Sequence, residues 1–81
     1  MELGDEELAA IALRAERATR GPWRSFVEGW DAMSGSSFIM TEGEDIYLSG
    51  CTAEDQDFIA AARSDVPKLV TEIRRLRAEI E

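Results

Sequence analysis

Residues 59–80 read IAAARSDVPKLVTEIRRLRAEI, and this stretch decides the fold. Its apolar residues recur in steps of three and four: Ile59, Ala62, Val66, Leu69, Ile73, Leu76 and Ile80. That is the spacing of one helix face. Written as a heptad, Ile59, Val66, Ile73 and Ile80 fall at a, and Ala62, Leu69 and Leu76 fall at d. β-Branched residues at a with Leu at d is the combination that favours two parallel strands in a coiled coil. Glu72 at g and Arg77 at the following e suit an ion pair between chains. The seam predicts a homodimer or a higher even-numbered oligomer, with Val66, Leu69, Ile73, Leu76 and Ile80 at the interface. Val70, at an e position, hints that part of the seam packs on the chain's own sheet instead.

Asp65-Val66-Pro67 interrupts this pattern. Proline in a helix interior removes one hydrogen bond and clashes with the carbonyl four residues back, here that of Arg63. Asp65 is also a good N-cap for a fresh helix with Pro67 in its first turn. The expectation is a kinked C-terminal helix pair, 53–64 and 66–80. Thr52-Ala53-Glu54-Asp55 resembles a capping box in which Asp55 replaces the usual Glu or Gln.

Upstream, Leu8, Ile11, Ala12 and Ala15 share one helical face, Asp5 is a candidate cap, and Glu6 and Glu7 suit a first turn. Gly21-Pro22 stops that helix, placed at 5–19. Residues 23–50 change to period two, with candidate strands at 23–30, 37–41 and 45–49 separated by Asp-Ala-Met-Ser-Gly-Ser and Glu-Gly-Glu. Phe38, Ile39 and Met40 are consecutive, so the strand's inward face stays open. The fold class is α+β in a single domain, 1–81: an N-terminal helix, a three-stranded antiparallel meander, and a C-terminal helix pair forming an oligomerisation seam.

An 81-residue chain buries a modest core and often needs a staple or a partner. Cys51 is the only cysteine and there is no histidine, so neither an intrachain disulfide nor a zinc site can form. Oligomerisation is the remaining route. The acidic N-terminus lacks the features of a signal peptide, and no run approaches the ~18 apolar residues of a membrane span. The expected setting is the cytoplasm, with no membrane partner. The net charge is −8, and residues 1–57 hold 13 acids against 4 bases. Such a balance argues against DNA, because nonspecific binding depends on many Lys/Arg–phosphate contacts. Arg74, Arg75 and Arg77 read as a solvated helix face near a C-terminus.

The absence of histidine removes Ser–His and Cys–His nucleophile pairs. The acids at 42–45 and 54–57 sit in turn and cap contexts where solvent keeps them ionised, unlike a paired catalytic carboxyl site. No catalytic residue, metal ligand or cofactor is expected. Cys51 has acidic neighbours, which oppose thiolate formation. Trp23 and Trp30 read either as core or as ligand platforms. Trp23 beside Arg24 can stack a flat ligand and contact its phosphate. Arg63 and Asp65, at the expected kink, either bridge each other or line the same pocket. The candidate ligand residues are therefore Trp23, Arg24, Arg63 and Asp65.

Ala18-Thr19-Arg20-Gly21-Pro22-Trp23 resembles the Ala-Thr-Pro-Gly-Pro-Trp stretch of a family of small phage, prophage and actinobacterial proteins, some described as Ead-like. Residues 57–67, DFIAAARSDVP, with the 72–77 tail EIRRLR, are similar to that family's closing motif. Arg20 stands where many relatives carry Pro, which should alter only the helix end. The resemblance covers about half the chain and implies a phage-type accessory protein in the host cell cytoplasm. By analogy with other small oligomeric phage proteins, it implies sequestration of a nucleotide-like immune signal. The alternative is an interaction module that binds a host protein through its acidic surface.

Overall fold

The computed structural model describes residues 3–27 and 37–80. Helix α1 spans Asp5–Arg17, strands β1, β2 and β3 span Arg24–Phe26, Phe38–Met40 and Ile46–Tyr47, and helix α2 spans Ala53–Ile80. This is the expected α+β order: one helix, a three-stranded antiparallel sheet, and a long C-terminal helix.

Helix α1 starts one residue earlier in role than expected. Gly4 is the N-cap, in extended conformation, and Asp5 is the first helical residue with no capping side chain involved. Asp5, Glu6 and Glu7 place negative charge where the helix dipole favours it. The helix ends at Arg17, two residues short of expectation, and the Ala18 N–H donates to the Arg14 carbonyl at 3.1 Å. Leu8 is buried, and Ile11, Ala12 and Ala15 are half-buried along the predicted face.

The sheet has order β1-β2-β3, both pairs antiparallel. Its strands have two or three residues each, shorter than predicted. The 28–30 end of the first predicted strand, with Trp30, and the following separator lie outside the described residues. Register resolves the open question of facing. Ser25, Ile39 and Ile46 are direct cross-strand neighbours on the helix side, and Ile39 is fully buried. Phe26, Phe38 and Tyr47 form the row on the opposite side, with Phe26 and Phe38 stacked at 5.1 Å. Thr41 fixes the β2–β3 turn: its hydroxyl accepts from the Gly43 N–H at 2.9 Å and donates to the Glu44 carbonyl at 3.0 Å. Gly50, at φ 80°, takes the left-handed conformation that leads into α2.

The predicted capping box forms. The Asp55 N–H donates to Thr52 Oγ1 at 3.0 Å, and the Thr52 N–H donates to Asp55 Oδ2 at 3.2 Å. The predicted break does not form. Helix α2 is continuous through Pro67 for 28 residues, and Asp65 is an exposed residue within it rather than a cap. The helix is held on both sides of the proline, which offsets a local cost of about 3 kcal/mol. Before Pro67, Gln56 and Ala60 are buried under the sheet; after it, Val70 is buried against α1.

Gln56 supplies the link between layers. Its amide nitrogen donates toward the Phe38 carbonyl (2.9 Å), the Phe26 carbonyl (3.0 Å) and Ser25 Oγ (3.0 Å), closing the β1–β2 end onto α2. The two helices run antiparallel. Arg77, near the end of α2, reaches the Asp5 carboxylate and the Leu3 carbonyl, while Arg63 reaches the segment just after α1.

Candidate functional site

Two of the four predicted ligand residues meet at one backbone atom. The Thr19 carbonyl accepts from Trp23 Nε1 at 3.0 Å and from Arg63 Nε at 2.8 Å. Thr19 is free to present that carbonyl because α1 has already ended at Arg17. Gly21 is the residue over which Arg63 lies. A Cβ there would sit 3.0 Å from Arg63 Cγ, a tight contact to which the arginine stem would have to yield by a few tenths of an ångström. The Glu42 N–H donates to the Arg20 carbonyl at 3.2 Å, which ties the same segment to the β2–β3 turn.

Beside this node, α1 and α2 leave a hollow of about 340 Å³. Ile11, Ala15, Ala62 and Val66 supply its apolar lining. Trp23, Arg63 and Arg14 line the same hollow. Arg14 was not among the sequence candidates, since it reads simply as a cation in the last turn of a helix. A groove of about 230 Å³ continues along the helices from Ile11 and Val66, lined only by apolar side chains such as Leu3, Leu8, Leu69 and Ile73.

The other two predicted residues lie elsewhere. Arg24 opens β1, is exposed, and is in register with Met40 on the sheet. Asp65 is exposed and does not meet Arg63, because two residues along a helix are roughly 200° apart. The predicted Arg63–Asp65 bridge is therefore replaced by the Arg63–Thr19 bond.

The predicted interface residues divide into two groups. Val66 and Ile73 are half-buried against α1. Leu69, Leu76 and Ile80 face outward at 60%, 45% and 85% exposure. The expected interchain pair is already engaged within the chain: Arg77 by Asp5 and Leu3, and Glu72 by Arg75 at 2.6 Å. Arg75 also contacts Glu79 at 2.9 Å. The Arg75 guanidinium holds the Glu72 carboxyl below its ordinary pKa, and Glu72 in turn raises that of Arg75.

Among the described residues no group of three or more His, Cys, Asp or Glu is placed to hold a metal ion. Cys51 is exposed. No helix among them is long and apolar enough to cross a membrane. Every buried side-chain nitrogen or oxygen among them has a hydrogen-bond partner. Comparison with protein-family models, curated proteins and solved structures finds no match to this chain.

Proposed function

We propose that the protein is a non-enzymatic binder of a small, flat, anionic molecule of nucleotide-like chemistry, held in the hollow between α1 and α2. The observation that carries this reading is the common anchoring of Trp23 and Arg63 on the Thr19 carbonyl. A side chain locked by a hydrogen bond is pre-organised, so less entropy is lost when a ligand arrives. The indole ring then offers a stacking face, and the guanidinium groups of Arg63 and Arg14 offer charge-assisted contacts to a phosphate. The hollow's volume, about 340 Å³, falls in the range of small-molecule sites. In this reading the chain withholds its ligand stoichiometrically, as a phage-type accessory protein in a host cytoplasm would. A second reading, docking on a host protein through the acidic surface, is favoured by the net charge of −8.

Calorimetric titration with AMP, cyclic AMP and ADP-ribose as probes tests the first reading. At least one should bind and be recovered unchanged. Stacking contributes about 1–3 kcal/mol per base, so Trp23→Ala should weaken binding about tenfold or more. Arg14 is exposed, so Arg14→Ala should weaken binding to a similar degree without lowering stability. Absence of binding by all three probes, or equal affinity in wild type and both variants, contradicts the proposal.

A further inference from the structure

We infer that a second copy of this chain lies antiparallel along the groove between α1 and α2, closing the open side of the hollow. Within one copy the apolar core is thin: among the described residues only Leu8, Ile39, Ala60 and Val70 are buried hydrophobics. Meanwhile Phe58, Leu69, Leu76 and Ile80 stand out at helical spacing on the side of α2 away from Gln56 and Ala60. A chain this small with such a face needs a permanent cover, and the partner always present at equal concentration is itself. The area suits that role. Helix α2 has 28 residues, so it is about 42 Å long at the standard rise. With the 13 residues of α1, about 20 Å, packed beside it at an interaxial distance of roughly 10 Å, the shared face is on the order of 600 Å². Specific interfaces start at about 600 Å² per partner.

Side-chain size selects the direction. Ala62 precedes Leu69 by seven residues and Leu76 follows it by seven; Phe58 precedes it by eleven and Ile80 follows by eleven. An antiparallel copy centred on Leu69 thus brings Leu76 over the small Ala62 and Ile80 toward Phe58, whereas a parallel copy sets Ala62 on Ala62 and leaves a gap. The Glu72–Arg77 pair that would have favoured the parallel dimer is already engaged within the chain.

The test uses full-length protein with Cys51→Ser, so that introduced thiols are the only ones. Solution mass should be twice the 9.0 kDa of the chain. Phe58→Cys and Ile80→Cys are made at exposed positions and treated with a short bismaleimide, separately and mixed. The antiparallel dimer predicts cross-linking in the mixture and little in Ile80→Cys alone. A monomeric mass overturns the second copy, and efficient self-cross-linking of Ile80→Cys overturns the direction. Leu76→Asp should give a folded monomer by circular dichroism and light scattering; a retained dimer would also overturn the assignment. The mass and cross-links are read without ligand, so failure of AMP, cyclic AMP or ADP-ribose to bind leaves them unaffected.

Discussion

The two halves of α2 invert the usual relation between polarity and burial. In the half that lies under the sheet, one of the deepest side chains is a polar one, Gln56, at 2% exposure. In the half beyond Pro67, Leu69, Leu76 and Ile80 are largely open. The sheet side of the first half is complete within one chain, because Gln56 reaches the Phe26 and Phe38 carbonyls, while Phe58 stands out on the other side. The second half is complete on one side only, where Val70 meets α1. A single helix thus serves as the chain's own keystone at one end and as an unfinished surface at the other.

Substitutions should separate the halves by size of effect. The largest loss belongs to the face that Gln56 shares with the sheet. Ile39 is fully buried, so Ile39→Ala should cost about 2–5 kcal/mol, read as a lowered urea midpoint. Gln56→Ala comes next. It removes the bonds to the Phe26 and Phe38 carbonyls in a buried place, at about 1–3 kcal/mol. An unchanged midpoint in Gln56→Ala would dissolve the contrast, since Gln56 would then be incidental.

Pro67→Ala should move stability the other way, by up to about 3 kcal/mol, because alanine restores the helical N–H and removes the ring clash. A destabilised Pro67→Ala would mean that the ring's half-buried packing outweighs both. Thr52→Ala, which removes half of the capping box, should cost about 1 kcal/mol.

The exposed pairs of the outer half should matter least. Glu72 has its pKa lowered by Arg75, so its contribution is present above the unfolded carboxylate pKa and is lost as pH falls through the lower folded value. Both groups are exposed, so Glu72→Gln should leave the urea midpoint at pH 7 within error. A clear loss there would mark Glu72 as part of a covered interface.

Much of this contrast was legible beforehand, and what was hidden has physical reasons. The Thr52–Asp55 cap and the Leu8–Ile11 face are local patterns, set by residues three or four apart, and both formed. The seam was legible as periodicity, but its division between α1 and solvent was not, since one stripe can serve two neighbours. Pro67 signals a break locally, but the long-range contacts of Ala60 and Val70 hold the helix across it. Gln56 gave no signal: its partners are 18 to 31 residues away, and nothing in a capping segment marks an amide that will face strand carbonyls. Of the candidate site, Trp23 and Arg63 converged, while Arg24 and Asp65 failed for reasons of strand position and helix angle. Arg14 entered the hollow only once the antiparallel packing of α1 on α2 was known.

Amide hydrogen exchange in β2 and along α2, measured at several protein concentrations, tests the central contrast most directly. Strand β2, with the fully buried Ile39, is covered by α2 of its own chain, so its protection should be nearly independent of concentration in the range where the dimer dissociates without unfolding. Residues 69–80 should gain protection as concentration rises, because their cover is a second copy. Protection of 69–80 that is the same at every concentration, in a protein whose mass is that of one chain, would contradict the account.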